Sequence, residues 1–251
     1  MSIGLNKMEP RAGGLFITQR RSFSLLGEFK IETLQKTLDF AYEMSFGKAG
    51  EHRRHRSGGT HNRRNGEIFA NTFQGKLSEF AVYYQLHKEY ELETPDLSTY
   101  GLGEWDDFDF IIKGKKASIK STKSFGNLLL LETKDWNKNA EYIPNLGKGA
   151  ANYELFILVR IEPYCEDLMR RIKSLYSDSQ SKKNLSTIIM GEKWKYDIPG
   201  YITNDELKYA IQHDFVIKQG EMLNGKTRMD ATNYYIQAGD MHSIKNMHED
   251  C

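Results

Sequence analysis

The segment 154–161 (ELFILVRI) constrains the fold of this chain more than any other, because it is a nearly continuous apolar run of strand length. Side chains of a strand point alternately to opposite faces of its sheet, so a strand that is apolar at successive positions needs cover on both faces. Pro163 ends the run. The chain is therefore expected to build a layered fold around a central strand.

Helical patterns flank this run, with apolar residues recurring near the helical period and charged residues between them. Helices are predicted at residues 31–46, 75–90, 164–175 and 203–212. The last of these begins with Thr203 as its N-cap and Glu206 three residues later, which is the pattern of a capping box.

Between residues 108 and 131 the period changes to that of short strands. Turn residues, Lys113-Gly114 and Phe125-Gly126, divide this region, which predicts three consecutive antiparallel strands. The strands are expected at residues 108–112, 117–121 and 127–131, with further short strands at 187–190 and 234–237. The predicted fold class is α/β, with an α+β type mixed sheet flanked by helices.

Composition and charge exclude several classes of protein. At 251 residues, with 39% hydrophobic and 27% charged residues, the chain is globular, and its net charge of +1 means that any basic surface is local. The two cysteines, Cys165 and Cys251, suggest neither a disulfide framework nor a zinc site. No apolar run is long enough to span a bilayer, and no phosphate-loop motif is present. We expect a cytoplasmic protein without a membrane partner or a nucleotide cofactor.

The segment 105–123 (WDDFDFIIKGKKASIKSTK) carries the strongest chemical signal. Asp109 starts a strand, a turn at Gly114 reverses the chain, and Lys120 lies on the returning strand, so the hairpin brings an acid and a lysine together. Ser118, two residues before Lys120, projects from the same face. Phosphodiester hydrolysis needs a divalent ion held by carboxylates, an activated water and positive charge near the phosphorus.

These residues resemble the hairpin signature of PD-(D/E)xK nucleases, and most closely that of type II restriction enzymes, in the variant form D-x8-S-x-K. The preceding GKLSEF is similar to the helix that supplies a further carboxylate in many members. The resemblance implies a restriction-endonuclease-like core with N- and C-terminal additions. It also implies Asp109 as the metal-binding acid, Lys120 as the catalytic lysine and Glu79 as the helix carboxylate.

The cofactor implied is Mg²⁺, with Mn²⁺ as a substitute. Ser118 stands where the family motif has Glu or Asp, so a second metal carboxylate must come from elsewhere. Glu132 and Glu79 are both candidates for it, and the sequence does not decide between them. Asp107 is a secondary candidate because it shares the strand face of Asp109. The dipeptide Pro95-Asp96 lies too far upstream to be a first choice.

Basic residues that could neutralise DNA phosphates cluster in the loop 52–64. The predicted DNA-binding residues are Arg53, Arg54, Arg56, Arg63 and Arg64 of this loop, together with Lys123, Lys226 and Arg228. The histidines of the same loop are not expected to bind zinc, since the surrounding arginines repel a dication. Three segments are proposed: an N-terminal helical segment with the basic loop (1–66), the catalytic core (67–176) and a C-terminal lobe (177–251), all within one compact domain.

The function predicted is a Mg²⁺-dependent, site-specific endonuclease that hydrolyses double-stranded DNA, as type II restriction enzymes do. A palindromic target would imply a homodimer. Two alternatives stay open: a repair or junction-resolving nuclease on the same core, and a DNA-binding protein whose nuclease site has degenerated. A hairpin with a glycine turn is also common in antiparallel sheets without catalytic function.

Overall fold

The computed structural model describes residues 3–47, 63–98, 108–148 and 151–250. The strands are β1 (Glu9–Arg11), β2 (Gly14–Phe16), β3 (Gly27–Glu28), β4 (Phe110–Ile112), β5 (Lys115–Lys123), β6 (Leu128–Glu132), β7 (Leu155–Glu162), β8 (Lys195–Thr203), β9 (Val216–Ile217), β10 (Met222–Leu223), β11 (Thr227–Arg228) and β12 (Asn233–Gln237). The helices are α1 (Ile31–Ser45), α2 (Asn65–Tyr90), α3 (Cys165–Arg171), α4 (Lys182–Met190), α5 (Asn204–Gln212) and α6 (Met247–Asp250).

A mixed sheet of five strands, in the order β3-β8-β7-β5-β4, forms the centre of the molecule. Strand β7 runs parallel to β5 and antiparallel to β8, and it is buried along nearly its whole length. Alternate side chains of β7 enter two cores: Leu155 and Ile157 contribute to the core that contains α1 and α2, whereas Phe156 and Leu158 contribute to the other. The structure therefore confirms the mixed α/β fold class and the central, doubly covered strand.

The hairpin of β4 and β5 is antiparallel, as predicted, with Phe110 opposite Ala117. A two-residue turn joins the strands, and both of its residues have positive φ: 46° at Lys113 and 79° at Gly114. Two such residues in succession are typical of the tight turns that match the twist of a β-hairpin. This turn fixes the register of β5, the strand that carries Ser118 and Lys120.

The prediction that β6 continues the antiparallel series beside β5 is wrong. Strand β6 pairs with β12, where Leu130 lies opposite Tyr235, and it belongs to a separate sheet of order β6-β12-β9. The position beside β5 is taken by β7, which is longer and can cover β5 over seven paired residues. Leu128, Leu129 and Leu131 of β6 are instead buried in the core that contains Phe156 and Leu158, and Leu130 packs against it partly buried.

Helix α2 is longer than predicted, since it begins at Asn65 rather than Gly75. Ile68, Phe69 and Phe73 extend its apolar face toward the N-terminus, and all three are buried. Glu67 accepts a hydrogen bond from the backbone N–H of Arg64 at 2.8 Å and so closes the first turn. The early start brings the basic end of the preceding loop to the beginning of α2.

Other predictions near the C-terminal half have mixed outcomes. The predicted strand at residues 187–190 is wrong, because these residues end α4, which Ser181 caps by accepting a hydrogen bond from Asn184 N at 3.5 Å. Leu185 and Ile189 lie one helical turn apart and are fully buried, so tertiary packing outweighs the strand preference of the isoleucines. The helix predicted at 164–175 is shorter, as α3.

The predicted helix α1, the helix α5 with its capping box at Thr203 and Glu206, and the strand β12 are confirmed. Strand β8 was not predicted, because Pro199 lies in its middle. The pairing of β7 with β8 shifts register between Leu158 and Arg160, opposite this proline. A bulge of this kind accommodates a residue that cannot donate to the ladder.

The central sheet takes strands from each of the three predicted segments. Strand β3 comes from the first segment, strands β4, β5 and β7 come from the second, and strand β8 comes from the third. A small sheet of order β1-β2-β10-β11 joins the two ends of the chain. Among the helices that the structure describes, none is long and apolar enough to cross a lipid bilayer.

Candidate active-site cleft

A cleft of about 510 Å³ opens between α2, β5, β6 and the segment that precedes β12. The polar residues that line it are Asn71, Gln74, Ser78, Lys120, Ser121, Thr122, Glu132, Asp135, Tyr142, Tyr164, Asp230 and Asn233. The cleft collects side chains from five parts of the sequence and holds both a lysine and carboxylates. The cleft is therefore the candidate site for the predicted phosphodiester hydrolysis.

Lys120 enters the cleft from β5, where it lies beside Leu158 of the central strand. It is half-buried, and within the described part of the chain no carboxylate forms an ion pair with its Nζ atom. Ser118 precedes it on the same strand face but is only 4% exposed, so it does not reach the cleft. Lys120 is thus a cation at the cleft wall with its charge available to a ligand.

Three carboxylates line the cleft together with Lys120. Glu132 ends β6 opposite Asn233 and forms an ion pair with Lys134. Asp135 follows in a single helical turn, and Asp230 lies three residues before β12. The sequence predicted Glu132 but gave no sign of Asp230, because the pairing that brings it near spans about a hundred residues of chain, from Thr133 N to Thr232 O.

Asp109 and Glu79 lie outside the set of residues that line the cleft. One carboxylate oxygen of Asp109 accepts a hydrogen bond of 2.6 Å from the backbone N–H of Ile119, so its side chain is fixed beside the residue that precedes Lys120. Glu79 is 9% exposed and lies 2.8 Å from Lys76 Nζ on the same helix. The structure thus brings Lys120 and Glu132 to one cleft and leaves Asp109 and Glu79 outside its lining.

The residues that the structure describes contain no group of three or more His, Cys, Asp or Glu side chains arranged to hold a metal ion. Mg²⁺ is usually held by one or two protein carboxylates, with water and substrate phosphates completing its six ligands. Glu132 and Asp135 supply hard oxygen donors of this type within the cleft. The donor set therefore fits a magnesium ion that is completed by a bound phosphate.

The predicted DNA-binding residues are distributed over several surfaces. Arg53, Arg54 and Arg56, as well as the secondary candidate Asp107, lie outside the described residues. Arg63 is half-buried, and Arg64 forms an exposed ion pair with Asp178 beside the first turn of α2.

Lys123 leaves the end of β5, where its Nζ atom lies 3.1 Å from Asp167 and 4.9 Å from the centre of the Tyr164 ring. Its charge is therefore already partly balanced. Lys226 and Arg228 are exposed in the hairpin of β10 and β11. The DNA-binding role of these residues stays a prediction.

Cys165 lies close to the cleft in sequence, since its neighbour Tyr164 lines it. Its thiol is completely buried, and burial in an apolar environment raises its pKa far above the ordinary value. A thiol that stays protonated is a poor nucleophile. The candidate chemistry of the cleft is therefore carried by carboxylates and lysine, without this thiol.

Comparison with known proteins found no matching family model, no matching curated protein and no matching solved structure. The resemblance to PD-(D/E)xK nucleases thus depends on the residues and spacing of the hairpin and on the preceding GKLSEF segment.

Proposed function

We propose that this protein is a Mg²⁺-dependent endonuclease of double-stranded DNA, with a restriction-endonuclease-like core and its active site in the cleft at Lys120. The observation that carries the proposal is that Lys120 and Glu132, which belong to strands of two different sheets, line the same cleft. A cation and a carboxylate that line one concave site are two of the groups that metal-dependent phosphodiester hydrolysis uses.

Lys120 acts on the reacting phosphate in this proposal. Its ammonium group stabilises the negative charge that accumulates on the phosphate oxygens during attack, and it orients the attacking water. Asp109 acts through the strand: its bond to Ile119 N holds β5 at the position from which Lys120 projects. Asp109 would in this way support catalysis although it lies outside the lining of the cleft.

Glu132 and Asp135 are the residues that would hold Mg²⁺, since both line the cleft, whereas Asp109 and Glu79, the acids that the family resemblance implies, lie outside its lining. The bound ion would supply charge neutralisation and a water of lowered pKa. Glu132 also shares its carboxylate with Lys134, so binding of a dication is expected to weaken that ion pair. Lys134 would in this way lower the affinity of the site for a dication.

The DNA would reach the cleft along α2. Arg64 precedes the first residue of this helix, and Asn71, the first α2 residue to line the cleft, follows seven residues later. At the α-helical rise this separation is roughly 10 Å, which is within the span of a few phosphates. Arg63 and Arg64, the described end of the predicted basic loop, therefore precede the helix whose later residues line the cleft. A palindromic target would require two copies of the chain related by two-fold symmetry.

The decisive experiment is cleavage of unmethylated plasmid and phage DNA in Mg²⁺, with and without EDTA. Wild type is compared with Lys120→Met, Glu132→Gln and Asp109→Asn. Lys116→Met is the matched control, because Lys116 lies on the same face of β5 but outside the cleft. We expect discrete Mg²⁺-dependent fragments from wild type and the control only. Equal cleavage by wild type and Lys120→Met would disprove the site.

A second candidate is a DNA-binding protein that does not hydrolyse DNA. It is favoured by one observation: Glu79 and Glu132 each form an ion pair with a lysine, and the position of the usual motif acid is the buried Ser118. Retained binding of a DNA duplex by wild type, with no cleavage in Mg²⁺ or Mn²⁺, would select this candidate.

A further inference from the structure

Gln74 carries a hydrogen-bond donor for which the described part of the chain supplies no acceptor. Its side-chain oxygen accepts a bond of 3.1 Å from the backbone N–H of Cys165, which fixes the orientation of the amide. Its Nε2 atom is buried and has no hydrogen-bond partner among the residues that the structure describes. Buried donors are nearly always paired, so an orphan of this kind in a residue that lines a cleft points to an acceptor brought by a ligand.

Gly75 makes the same wall of the cleft unusually open. A glycine in the middle of a 26-residue helix is unfavourable compared with alanine. A Cβ atom built on Gly75 would meet no atom within 4 Å, so packing of the protein does not explain the glycine. Glycine within a regular element often marks the place where a ligand approaches the backbone closely.

The two observations coincide on one face of α2. Asn71, Gln74, Gly75 and Ser78 follow one another at helical spacing, three, four and seven residues after Asn71, and all four line the cleft that Lys120 also lines. Lys76 and Glu79, which pair with each other, lie outside this lining. The lining of the cleft thus combines amide and hydroxyl groups of α2 with a lysine of β5.

We propose that this wall of α2 receives the DNA backbone, and that Gln74 donates a hydrogen bond from Nε2 to a phosphate oxygen for which Gly75 leaves room. The inference rests on the proposed function and adds to it the element that positions the strand against Lys120. Gln74 is a positioning residue: its amide places the phosphate and takes no part in bond cleavage. A neutral donor suits this task, since a second cation here would compete for Glu132.

The first test observes the Gln74 side-chain amide directly by NMR on protein labelled with ¹⁵N-glutamine. Its resonance is identified by its loss in Gln74→Glu, and a 20-base-pair DNA duplex is added in EDTA so that no cleavage occurs. We expect a saturable shift of this resonance. If other resonances move and that of Gln74 does not, DNA binding stands and the proposed contact is wrong. If no resonance moves, both the contact and the proposed function fail.

The second test uses binding affinity for the same duplex. Gln74→Glu keeps an oxygen for Cys165 N but removes the donor, and it is expected to weaken binding about tenfold or more. Gln212→Glu makes the same change of charge at an exposed helical position and is the matched control. Equal effects of the two variants would show that only net charge matters and would overturn the contact.

Gly75→Ala keeps the inference testable if the Gln74 variant folds poorly. Alanine at this position should raise the Tm by about 1 to 4 °C, because it strengthens the helix and meets no neighbour. The same methyl group should weaken duplex binding about tenfold by occupying the space of the backbone. Gly147→Ala is the control, since a Cβ there also meets no atom within 4 Å and the residue lies outside the cleft. A raised Tm with unchanged binding would refute the role of this wall.

Discussion

Replacement of Arg160 by methionine is expected to destabilise the protein more than any change at the cleft. The guanidinium group is fully buried and donates to both oxygens of Asp197, at 2.8 and 2.5 Å. It also donates to the carbonyl oxygens of Arg21 at 2.7 Å and Ser22 at 2.9 Å, and Asp197 accepts from Ser24 N at 2.8 Å. The pair thus ties the segment that follows β2 to the bulge between β7 and β8.

The magnitude follows from what methionine leaves behind. Removal of one partner of a buried ion pair leaves an uncompensated charge, which lowers the free energy of unfolding by about 3–5 kcal/mol. For a chain of this length the corresponding fall in Tm is about 6 to 20 °C. Methionine fills most of the same volume, so a cavity adds little to this loss.

The assay is urea unfolding followed by circular dichroism, applied to Arg160→Met, Asp197→Leu and the double variant. We expect the double variant to lose clearly less than the sum of the single losses, with a coupling free energy of about 2–3 kcal/mol, because no buried charge is left unpaired. Arg11→Met, which removes an exposed ion pair with Glu9, is the control and should lose less than about 1 kcal/mol. A loss below about 1 kcal/mol for Arg160→Met, or strict additivity, would refute the reasoning.

Three further changes have equally definite expectations. Lys120→Met should lower the rate of DNA cleavage roughly 10²–10³-fold with an unchanged Tm, as measured on plasmid DNA, and a rate within twofold of wild type would contradict its role. Gly66→Ala should lower the free energy of unfolding by about 1–3 kcal/mol in urea, because the new Cβ would lie 2.0 Å from the backbone oxygen of Ser174; an increase in stability would contradict the close approach. In the Cys251→Ser variant, Cys165 should not react with a thiol reagent at pH 8 until the protein is unfolded, because burial raises the pKa of its thiol. Rapid labelling of the native protein would contradict this expectation.

Much of the fold follows from periodicity where one pattern dominates a segment. The helices α1 and α5 and the strand β7 each have a single clear pattern and were predicted nearly to their ends. The segment of α4 was assigned to the wrong class because its isoleucines favour strands in isolation. Strand β8 was not predicted because proline is rare in the middle of a strand. The bulge opposite Pro199 makes the proline compatible with the sheet.

The sequence alone could point to only part of the candidate site. Lys120 and Asp109 belong to one hairpin, and the turn at Gly114 is enough to relate them, although only Lys120 lines the cleft. Glu132 was also a candidate, because it ends the apolar run of β6. Gln74 and Asp230 carry no local signal, because their roles depend on where α2 and β12 pack. The orphan amide of Gln74 in particular is defined by the absence of an acceptor among described residues, which no sequence pattern encodes.

The unpredicted pairing of β6 with β12 also forms the cleft. If β6 had continued the antiparallel series, it would lie next to β5 in the central sheet, and it would not pair with β12, the strand that follows Asp230. Instead β7 occupies the edge of β5, and β6 turns away to pair with β12. The space left between β5 and β6 is the cleft, since residues of both strands line it. The same pairing delivers Asp230 to its rim, so the feature that periodicity could not predict is the one that assembles the site.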